Sequence, residues 1–405
     1  MAPPVQTRIL SRLCPKDFTA LSQVSKDVHK VLEDGLRSSC FNINAKLLKF
    51  FQDPRAFRRV QAQTGALIGD DFARKFSANQ LQDVPDDLHV YIQYVQHKLE
   101  KSLATLCEHL ESDGWSTISN DMPPVVYQKK NRNDIHLNLH LHVGADSAIG
   151  LLLHSAPSTA ALNFIAWNKA YALLPESTFI ENVAYRLQGQ ICLWDYVDNL
   201  RRREFPRRGF RWGFVGGNEV TRTRRIGDER TWTITLDNSS LESVKSLTPD
   251  AVIESSTFEI EITHKPTRHT LGATWTFSHP ILKHSYVTVI GDFYHQLTKL
   301  SEEMDRLTRL ELRKVPEEKR PAEYADLMIT RDEDQMSNME LDSDGDEEEE
   351  ERIMLSTFKW DEGQVPETWT FFDDELVKHL RALWQLQTRV QVERDAKNNN
   401  QQKWK

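Results

Sequence analysis

The most constraining feature of this chain is a change of hydrophobic period in its first quarter. Phe72 and Phe76 are spaced i and i+4, which predicts a helix with one face in the core. Leu88, Val90 and Ile92 then alternate with polar or amphipathic residues, which predicts a half-buried strand. A helix that is followed by such a strand predicts a body of the α+β class.

The same region carries a motif in two parts. Residues 63–73 read Gln-Thr-Gly-Ala-Leu-Ile-Gly-Asp-Asp-Phe-Ala, and residues 86–92 read Asp-Asp-Leu-His-Val-Tyr-Ile. Together they resemble the nucleotidyltransferase-like family of filamentous fungi, which is related to the polymerase-β superfamily. Members of that family typically read Thr-Gly-Ala-Leu-Ile-Ser-Gly-Ser-Phe-Ala and then Ser-Asp-Leu-Asp-Leu-Tyr-Val. The resemblance implies a mixed-sheet, nucleotidyltransferase-like fold.

This chain differs from the family at the positions that carry the chemistry. The family's Gly-Ser pair falls on Asp70 and Asp71, and of its two carboxylates the first is Asp87 and the second is replaced by His89. The resemblance implies that the glycine admits phosphates at a helix N-terminus, and that the two carboxylates share one strand face beside magnesium. Carboxylates at the loop repel a nucleotide, and imidazole is a poor bridge between hard cations. We therefore expect no catalytic residues, no cofactor, no bound metal and no phosphoryl transfer.

A second stretch, residues 153–179, resembles the same family, so that the resemblance extends over roughly residues 40–300. Its apolar run predicts a mostly buried helix that ends before Pro175. The residues expected on that helix are Phe164, Ile165, Trp167 and Ala170.

The amino-terminal segment resembles an F-box, which is a short helical module. Between residues 3 and 26 it has a Pro-led start, an Ile-Leu pair, an Asp-Phe step where Asp-Leu is usual, and a Val-Ser-Lys step. The resemblance implies docking onto a Skp-type adaptor of a cullin–RING ubiquitin ligase. The residues that it implicates are Pro4, Ile9, Leu10, Leu13, Leu21 and Val24. A second interpretation stays open, in which these helices only pack on the domain that follows.

Residues 135–143 alternate between apolar and polar side chains, which predicts another strand. Its polar face carries His136, Asn138, His140 and His142. Because alternate residues share a face, a zinc site built from the three histidines is one interpretation. No cysteine or further ligand set lies nearby in sequence, so we favour a solvated strand face.

Arginines and aromatic residues interleave between residues 201 and 230. Arginine forks bind phosphate and aromatic rings stack on bases, so an interface for single-stranded nucleic acid is one hypothesis, although we do not favour it. Two structural interpretations compete with it: a solvated helix end, and pairing with the chain's own acidic segment. The candidate contacts are Arg201, Arg202, Arg203, Arg207, Arg208, Arg224 and Arg225.

Length and charge indicate the organisation of the chain. Its 405 residues allow two or three domains. Residues 332–351 form an acidic run, which predicts a disordered linker, and helical patterns begin near Asp292 and Asp373. We assign F-box-like helices to residues 1–40, the α+β body to 41–315, the acidic linker to 316–356 and a helical segment to 357–405.

Cysteine usage and hydropathy indicate where the protein resides. The four cysteines are far apart in sequence, which indicates reduced thiols in the cytosol or nucleus. No stretch approaches the roughly 18 apolar residues that cross a bilayer, and no secretory signal opens the chain. We expect a cytoplasmic or nuclear location and no membrane partner.

Three hypotheses about function follow. The first is a non-catalytic interaction protein whose F-box-like head serves a ubiquitin ligase and whose body recognises an unknown protein target. The second is an active nucleotidyltransferase that uses Asp70, Asp71 and Asp87 as an atypical metal site. The third is a single-stranded nucleic-acid-binding module centred on the arginines. We favour the first, because all three replaced positions weaken the binding of a nucleotide and its metals.

Overall fold

The structure of the protein is a computed structural model. It describes residues 13, 17, 25, 40–81, 84–94, 101–119, 124–131, 134–188, 211–212, 223–241, 247–264, 267–316 and 365–402. The acidic run at 332–351 and almost all of the F-box-like segment lie outside these residues.

Helices and strands alternate irregularly along the described chain. The helices are α1 (Ile43–Leu47), α2 (Pro54–Thr64), α3 (Asp70–Ser77), α4 (Lys101–Ser112), α5 (Ala148–Ser155), α6 (Asp250–Glu254), α7 (Tyr294–Lys314) and α8 (Asp373–Gln402). The strands are β1 (Leu67–Gly69), β2 (Asp87–Gln93), β3 (Ser116–Ser119), β4 (Val125–Lys130), β5 (His136–Gly144), β6 (Asn163–Ile165), β7 (Lys169–Ala172), β8 (Val183–Ala184), β9 (Leu187–Gln188), β10 (Arg211–Trp212), β11 (Arg224–Arg225), β12 (Trp232–Thr235), β13 (Thr257–Phe258), β14 (Ile260–His264), β15 (Thr267–Leu271), β16 (Thr274–Phe277) and β17 (Tyr286–Val289). Among the helices described, none is both long and apolar enough to span a membrane.

Eight strands form one mixed sheet in the order β12-β7-β6-β1-β2-β5-β4-β3. β2 and β5 are parallel, and the other neighbouring pairs are antiparallel. Smaller sheets pair β10 with β8, β11 with β13, β16 with β17, and β14 with β15 and β9. The arrangement confirms the predicted α+β class with a mixed sheet.

The central strands of the large sheet are buried on both faces. Leu88 and Val90 of β2 belong to a core cluster that also contains Phe72 of α3. Tyr91 of β2 belongs to a second cluster together with Leu152 of α5. Because successive strand residues point to opposite faces, α3 and α5 cover opposite sides of the sheet. The predicted helix and the predicted strand are both present, but the strand is largely buried on both faces instead of half-buried.

Residues 163–172 do not form the predicted helix. They form the hairpin of β6 and β7, whose turn is closed by a hydrogen bond of 2.8 Å from the Ala166 N–H to the Lys169 carbonyl. Phe164 and Ala170, expected on a helix face, are fully buried on strands. The prediction was wrong because a continuous apolar run fits a buried strand as well as a buried helix. Pairing with β1 on one side and β12 on the other satisfies the backbone of this hairpin.

Helices α7 and α8 confirm the two helical patterns predicted near the carboxy terminus. They share one core cluster, to which they contribute Leu297, Leu300, Met304, Leu312, Leu376, Val377 and Leu380. Asp373, the first residue of α8, accepts hydrogen bonds from the Tyr286 hydroxyl at 2.8 Å and from the backbone N–H groups of Lys283 and His284, in the loop between β16 and β17. These bonds fix the start of α8 against the β16–β17 hairpin.

Candidate functional site

The motif at residues 63–73 ends one strand and begins a helix without an intervening loop. Gly69 closes β1, and Asp70 opens α3 with a φ angle of 58°. Glycine adopts this left-handed region freely, whereas other residues enter it uncommonly and Asn and Asp most readily among them. Asp70 therefore holds a backbone conformation that suits glycine.

Strand register brings Asp70 and His89 together. Gly69 lies opposite His89 in the β1–β2 pair, and Asp70 is the next residue along the chain. The Asp70 Oδ2 atom lies 3.3 Å from His89 Nδ1 and accepts a hydrogen bond of 2.9 Å from the Tyr91 hydroxyl. The two side chains are only 13% and 14% exposed, so a carboxylate and an imidazole meet largely out of water.

The parallel strand β5 supplies a second imidazole. His140 pairs with His89 and His142 pairs with Tyr91 in the β2–β5 register. The His142 Nε2 atom lies 3.0 Å from His89 Nδ1, and His142 is 5% exposed. Asp70, His89 and His142, here called the Asp–His–His cluster, present ligand atoms that lie within 4.8 Å of one another. Within the described residues it is the one group of three or more His, Cys, Asp or Glu side chains with this spacing.

The other two carboxylates of the motif have different partners. The Asp71 carboxylate pairs with Arg74 at 2.6 Å and with Lys75 at 3.3 Å, both on the same helix. The Asp87 carboxylate accepts a hydrogen bond of 2.8 Å from the Asn138 amide of β5. Asp70, Asp71 and Asp87 thus do not form a common ligand cluster among the residues that the structure describes.

Asp87 is held in its ionised form. His140, whose Nε2 atom lies 3.6 Å from Asp87 Oδ1, and the Asn138 amide lower the pKa of Asp87 to about 2, although partial burial acts in the opposite direction. This carboxylate therefore adds a permanent negative charge beside the Asp–His–His cluster.

The histidine face of β5 differs in part from the solvated face that the sequence predicts. His136 is exposed, but His142 is buried. The set of His136, His140 and His142 does not converge, because a strand rises about 3.3 Å per residue and so places His136 and His140 about 13 Å apart. His142 instead meets a residue of β2. The register between two strands far apart in sequence produces this contact, and no local pattern signals it.

One of the six predicted adaptor-binding residues is described by the structure. Leu13 packs against the main core cluster, and its carbonyl accepts a hydrogen bond of 3.1 Å from the Asn79 amide. At this position the amino-terminal segment contacts the body, as the packing interpretation expects. The other five, which lie outside the described residues, are Pro4, Ile9, Leu10, Leu21 and Val24.

Two of the candidate nucleic-acid contacts are engaged inside the fold. Arg224 is 3% exposed and binds both carboxylate oxygens of Asp228, at 2.6 and 2.9 Å. Arg225 donates to the Glu254 carbonyl and lies over the Trp384 ring at 5.2 Å. Because the Arg224 guanidinium is buried and its charge is balanced by Asp228, it is not available to bind a phosphate. The candidates that lie outside the described residues are Arg201, Arg202, Arg203, Arg207 and Arg208.

The sequence gives no sign of a charged network beside β7. The Lys169 ammonium lies 2.5 Å from the Asp250 carboxylate and 2.7 Å from the Glu254 carboxylate. The Tyr171 hydroxyl donates to Glu254 at 3.1 Å, and burial next to this acid raises the pKa of Tyr171. Each acid has a basic partner, so the network stabilises the contact between β7 and α6.

The strongest candidate site is therefore the edge where β1, β2 and β5 meet the N-terminus of α3. It holds the Asp–His–His cluster, with Asp87 on the same strand face as His89. Comparison of the chain with models of protein families, with curated proteins and with solved structures found no match. Function is therefore inferred from the site itself.

Proposed function

We propose that this chain is a non-catalytic interaction protein, with an F-box-like head on a nucleotidyltransferase-like body that has lost phosphoryl transfer. The proposal rests on the side chains that lie where β1, β2 and β5 meet the N-terminus of α3. Two carboxylates, Asp70 and Asp71, stand where the resemblance expects glycine and serine. His89 stands where it expects a second metal-binding carboxylate.

The backbone of Asp70 supports the resemblance to nucleotidyltransferases. Its φ of 58° is costly for most residues and free for glycine. The resemblance assigns glycine to this position, at the end of β1 and the start of α3. The conformation expected of the family is thus present while the side chain has changed.

The electrostatics of the edge support the loss of nucleotide binding. The N-terminus of a helix attracts phosphate through its free N–H groups and its dipole. Asp70 and Asp71 lie in the first turn of α3. Asp71 is paired with Arg74 and Lys75, so the carboxylate that opposes an anionic ligand there is that of Asp70. A two-metal centre also needs carboxylates shared between ions about 3.5–4 Å apart, and the Asp–His–His cluster contains a single carboxylate.

Titration of the full-length protein with ATP and magnesium tests this proposal. We expect no magnesium-dependent binding by calorimetry at micromolar nucleotide, and no transfer of a nucleotide to a mixed pool of acceptors. Saturable micromolar binding that requires magnesium would overturn the proposal in favour of an active enzyme.

A reversion variant is the matched control. Asp70→Gly, Asp71→Ser and His89→Asp together restore the pattern that the resemblance expects. We expect this variant to gain magnesium-dependent nucleotide binding. If it folds and gains none, these three positions are not the cause of the loss.

The F-box-like head has its own test. We expect a Skp-type adaptor to co-purify with the full-length chain and to be lost when Ile9 and Leu10 are both changed to Ala. These two residues form the apolar pair of the resemblance. Absence of the adaptor from the wild-type preparation would leave only the packing interpretation, which the Leu13 contact with the body favours at that position.

A further inference from the structure

We propose that the Asp–His–His cluster is a mononuclear zinc site. Asp70, His89 and His142 supply three protein ligands, one carboxylate oxygen and two imidazole nitrogens. Zinc sites with three protein ligands keep a fourth position for water or another donor. The proposal depends on the positions of these side chains and not on the proposed function.

Two of the three distances within the cluster match the ligand shell of zinc, and the third, between Asp70 and His142, is at most 4.8 Å. A tetrahedral zinc with bonds of about 2.0–2.1 Å separates its ligand atoms by about 3.3 Å. His89 Nδ1 lies 3.0 Å from His142 Nε2 and 3.3 Å from Asp70 Oδ2. Bonding to a cation at the centre needs only small side-chain adjustments.

A single cation satisfies this geometry better than protons do. A hydrogen on His89 Nδ1 can point at either the Asp70 oxygen or the His142 nitrogen, but not at both. If Nδ1 has no hydrogen, its lone pair faces a carboxylate oxygen 3.3 Å away. A metal ion between the three atoms accepts a lone pair from each of them at once.

The surroundings hold the ligands in place. The Tyr91 ring stacks on the His142 ring at 4.3 Å between centroids, and the His140 ring stacks on the His89 ring at 4.5 Å. The Tyr91 hydroxyl also donates to the Asp70 carboxylate, as groups around a metal ligand commonly do. A Cβ atom on Gly69 would lie 2.7 Å from the Tyr91 ring, so the absence of a side chain there lets Tyr91 reach both ligands.

The ligand chemistry selects zinc over magnesium. Magnesium prefers six oxygen ligands in octahedral geometry, whereas imidazole suits zinc and similar transition metals. The replacement at His89 thus exchanges a ligand for hard cations with a ligand for borderline ones. One carboxylate oxygen and two imidazole nitrogens therefore suit a single zinc ion better than a magnesium ion.

Cobalt(II) is the spectroscopic probe for this site. Full-length protein is stripped of metal with a chelator and titrated with cobalt, followed by visible absorption. We expect a tetrahedral-type absorption that saturates at one ion per chain and is abolished by equimolar zinc. Millimolar magnesium should leave it unchanged.

Ligand variants identify the site. Changes to groups around a metal ligand cost about 10–100-fold in metal affinity, so we expect that range for Tyr91→Phe and a larger loss for Asp70→Asn and His142→Gln. Asp70→Asn preserves shape and tolerates positive φ, so it keeps the test valid if His142→Gln fails to fold. His136→Gln is the matched control, because this exposed histidine on the same strand is outside the cluster, and it should bind cobalt as wild type does.

Three results would overturn the proposal. They are no saturable cobalt spectrum in the wild type, equal affinity in wild type and Asp70→Asn, and loss of binding in His136→Gln. None of them bears on magnesium-ATP binding, so the failure of this inference is distinguishable from the failure of the proposed function.

Discussion

Two polar clusters in this protein are built in opposite ways. Around Arg224 each charge has a partner of opposite sign: the buried guanidinium binds both oxygens of Asp228. In the Asp–His–His cluster, one carboxylate oxygen and two ring nitrogens, all lone-pair donors to a metal, converge within 4.8 Å. The first cluster pairs opposite charges, and the second gathers atoms that can bind one cation together.

The difference distinguishes charged side chains that stabilise the fold from side chains that bind a ligand. Burial raises the pKa of Asp228, but hydrogen bonds and charge from Arg224 outweigh it and hold the pKa below its usual value. Removal of one partner of such a buried ion pair strongly destabilises the protein, because the remaining charge stays buried. In the Asp–His–His cluster, loss of one ligand should change the unfolding free energy of the metal-free protein little, whereas zinc binding should raise it.

The largest effect is expected from Asp228→Asn. This change leaves the Arg224 guanidinium buried without its counter-charge, and we expect a loss of about 3–5 kcal/mol in the free energy of unfolding. Urea denaturation followed by circular dichroism measures it. Glu303→Gln on α7 is the matched control, since Glu303 makes the same two-bond contact with Arg306 in water and should cost at most about 1 kcal/mol. Equal losses would mean that burial does not distinguish the Arg224 pair.

Zinc gives the next largest effect. At a zinc concentration about 100 times the dissociation constant, the wild-type protein should gain about 2.7 kcal/mol in unfolding free energy. Asp228→Asn should gain the same increment, because the two clusters share no residue. The measurement is the urea midpoint with and without zinc, and an increment that disappears in Asp228→Asn would show that the clusters are coupled.

Local periodicity predicted the elements that carry the Asp–His–His cluster but not the contacts between them, and it predicted no strand at Arg224. The strand with His89 and the strand with His142 both follow from alternation, since that pattern depends only on neighbouring residues. Their contact depends on parallel pairing across some fifty residues of chain. Residues 163–172 were predicted as a helix for a related reason. A continuous apolar run does not distinguish a buried helix from a buried strand, and pairing with β1 and β12 makes this one a hairpin.

The same limit applies to the site. The replaced positions Asp70 and His89 were identified from the sequence because they interrupt a motif. The arginines were read as a surface because composition does not show burial, and Arg224 proved to be interior. Pairing of Arg224 with Asp228 four residues away is visible in the sequence only after the burial is known.

A smaller loss is expected from Lys169→Met. Lys169 pairs with both Asp250 and Glu254, but its side chain is 23% exposed, so water screens part of the repulsion between the two acids that its removal leaves. We expect a loss of about 1–2 kcal/mol in unfolding free energy, between the values for buried and surface pairs. Lys130→Met removes an exposed partner of Asp134 and should cost about 0.5 kcal/mol or less. An equally small loss for Lys169→Met would mean that its ion pairs contribute no more to stability than a surface pair does.

The smallest effect is expected from Asp70→Asn in metal-free protein. It is the same carboxylate-to-amide change as Asp228→Asn, yet the amide oxygen still accepts the Tyr91 hydrogen bond, and asparagine tolerates the positive φ. At pH 8 we expect a change below about 1 kcal/mol in unfolding free energy. Urea denaturation in the presence of a chelator measures it. A loss close to that of Asp228→Asn would mean that the Asp70 carboxylate stabilises the metal-free fold as strongly as the Asp228 carboxylate does, and the two clusters would then be of one kind.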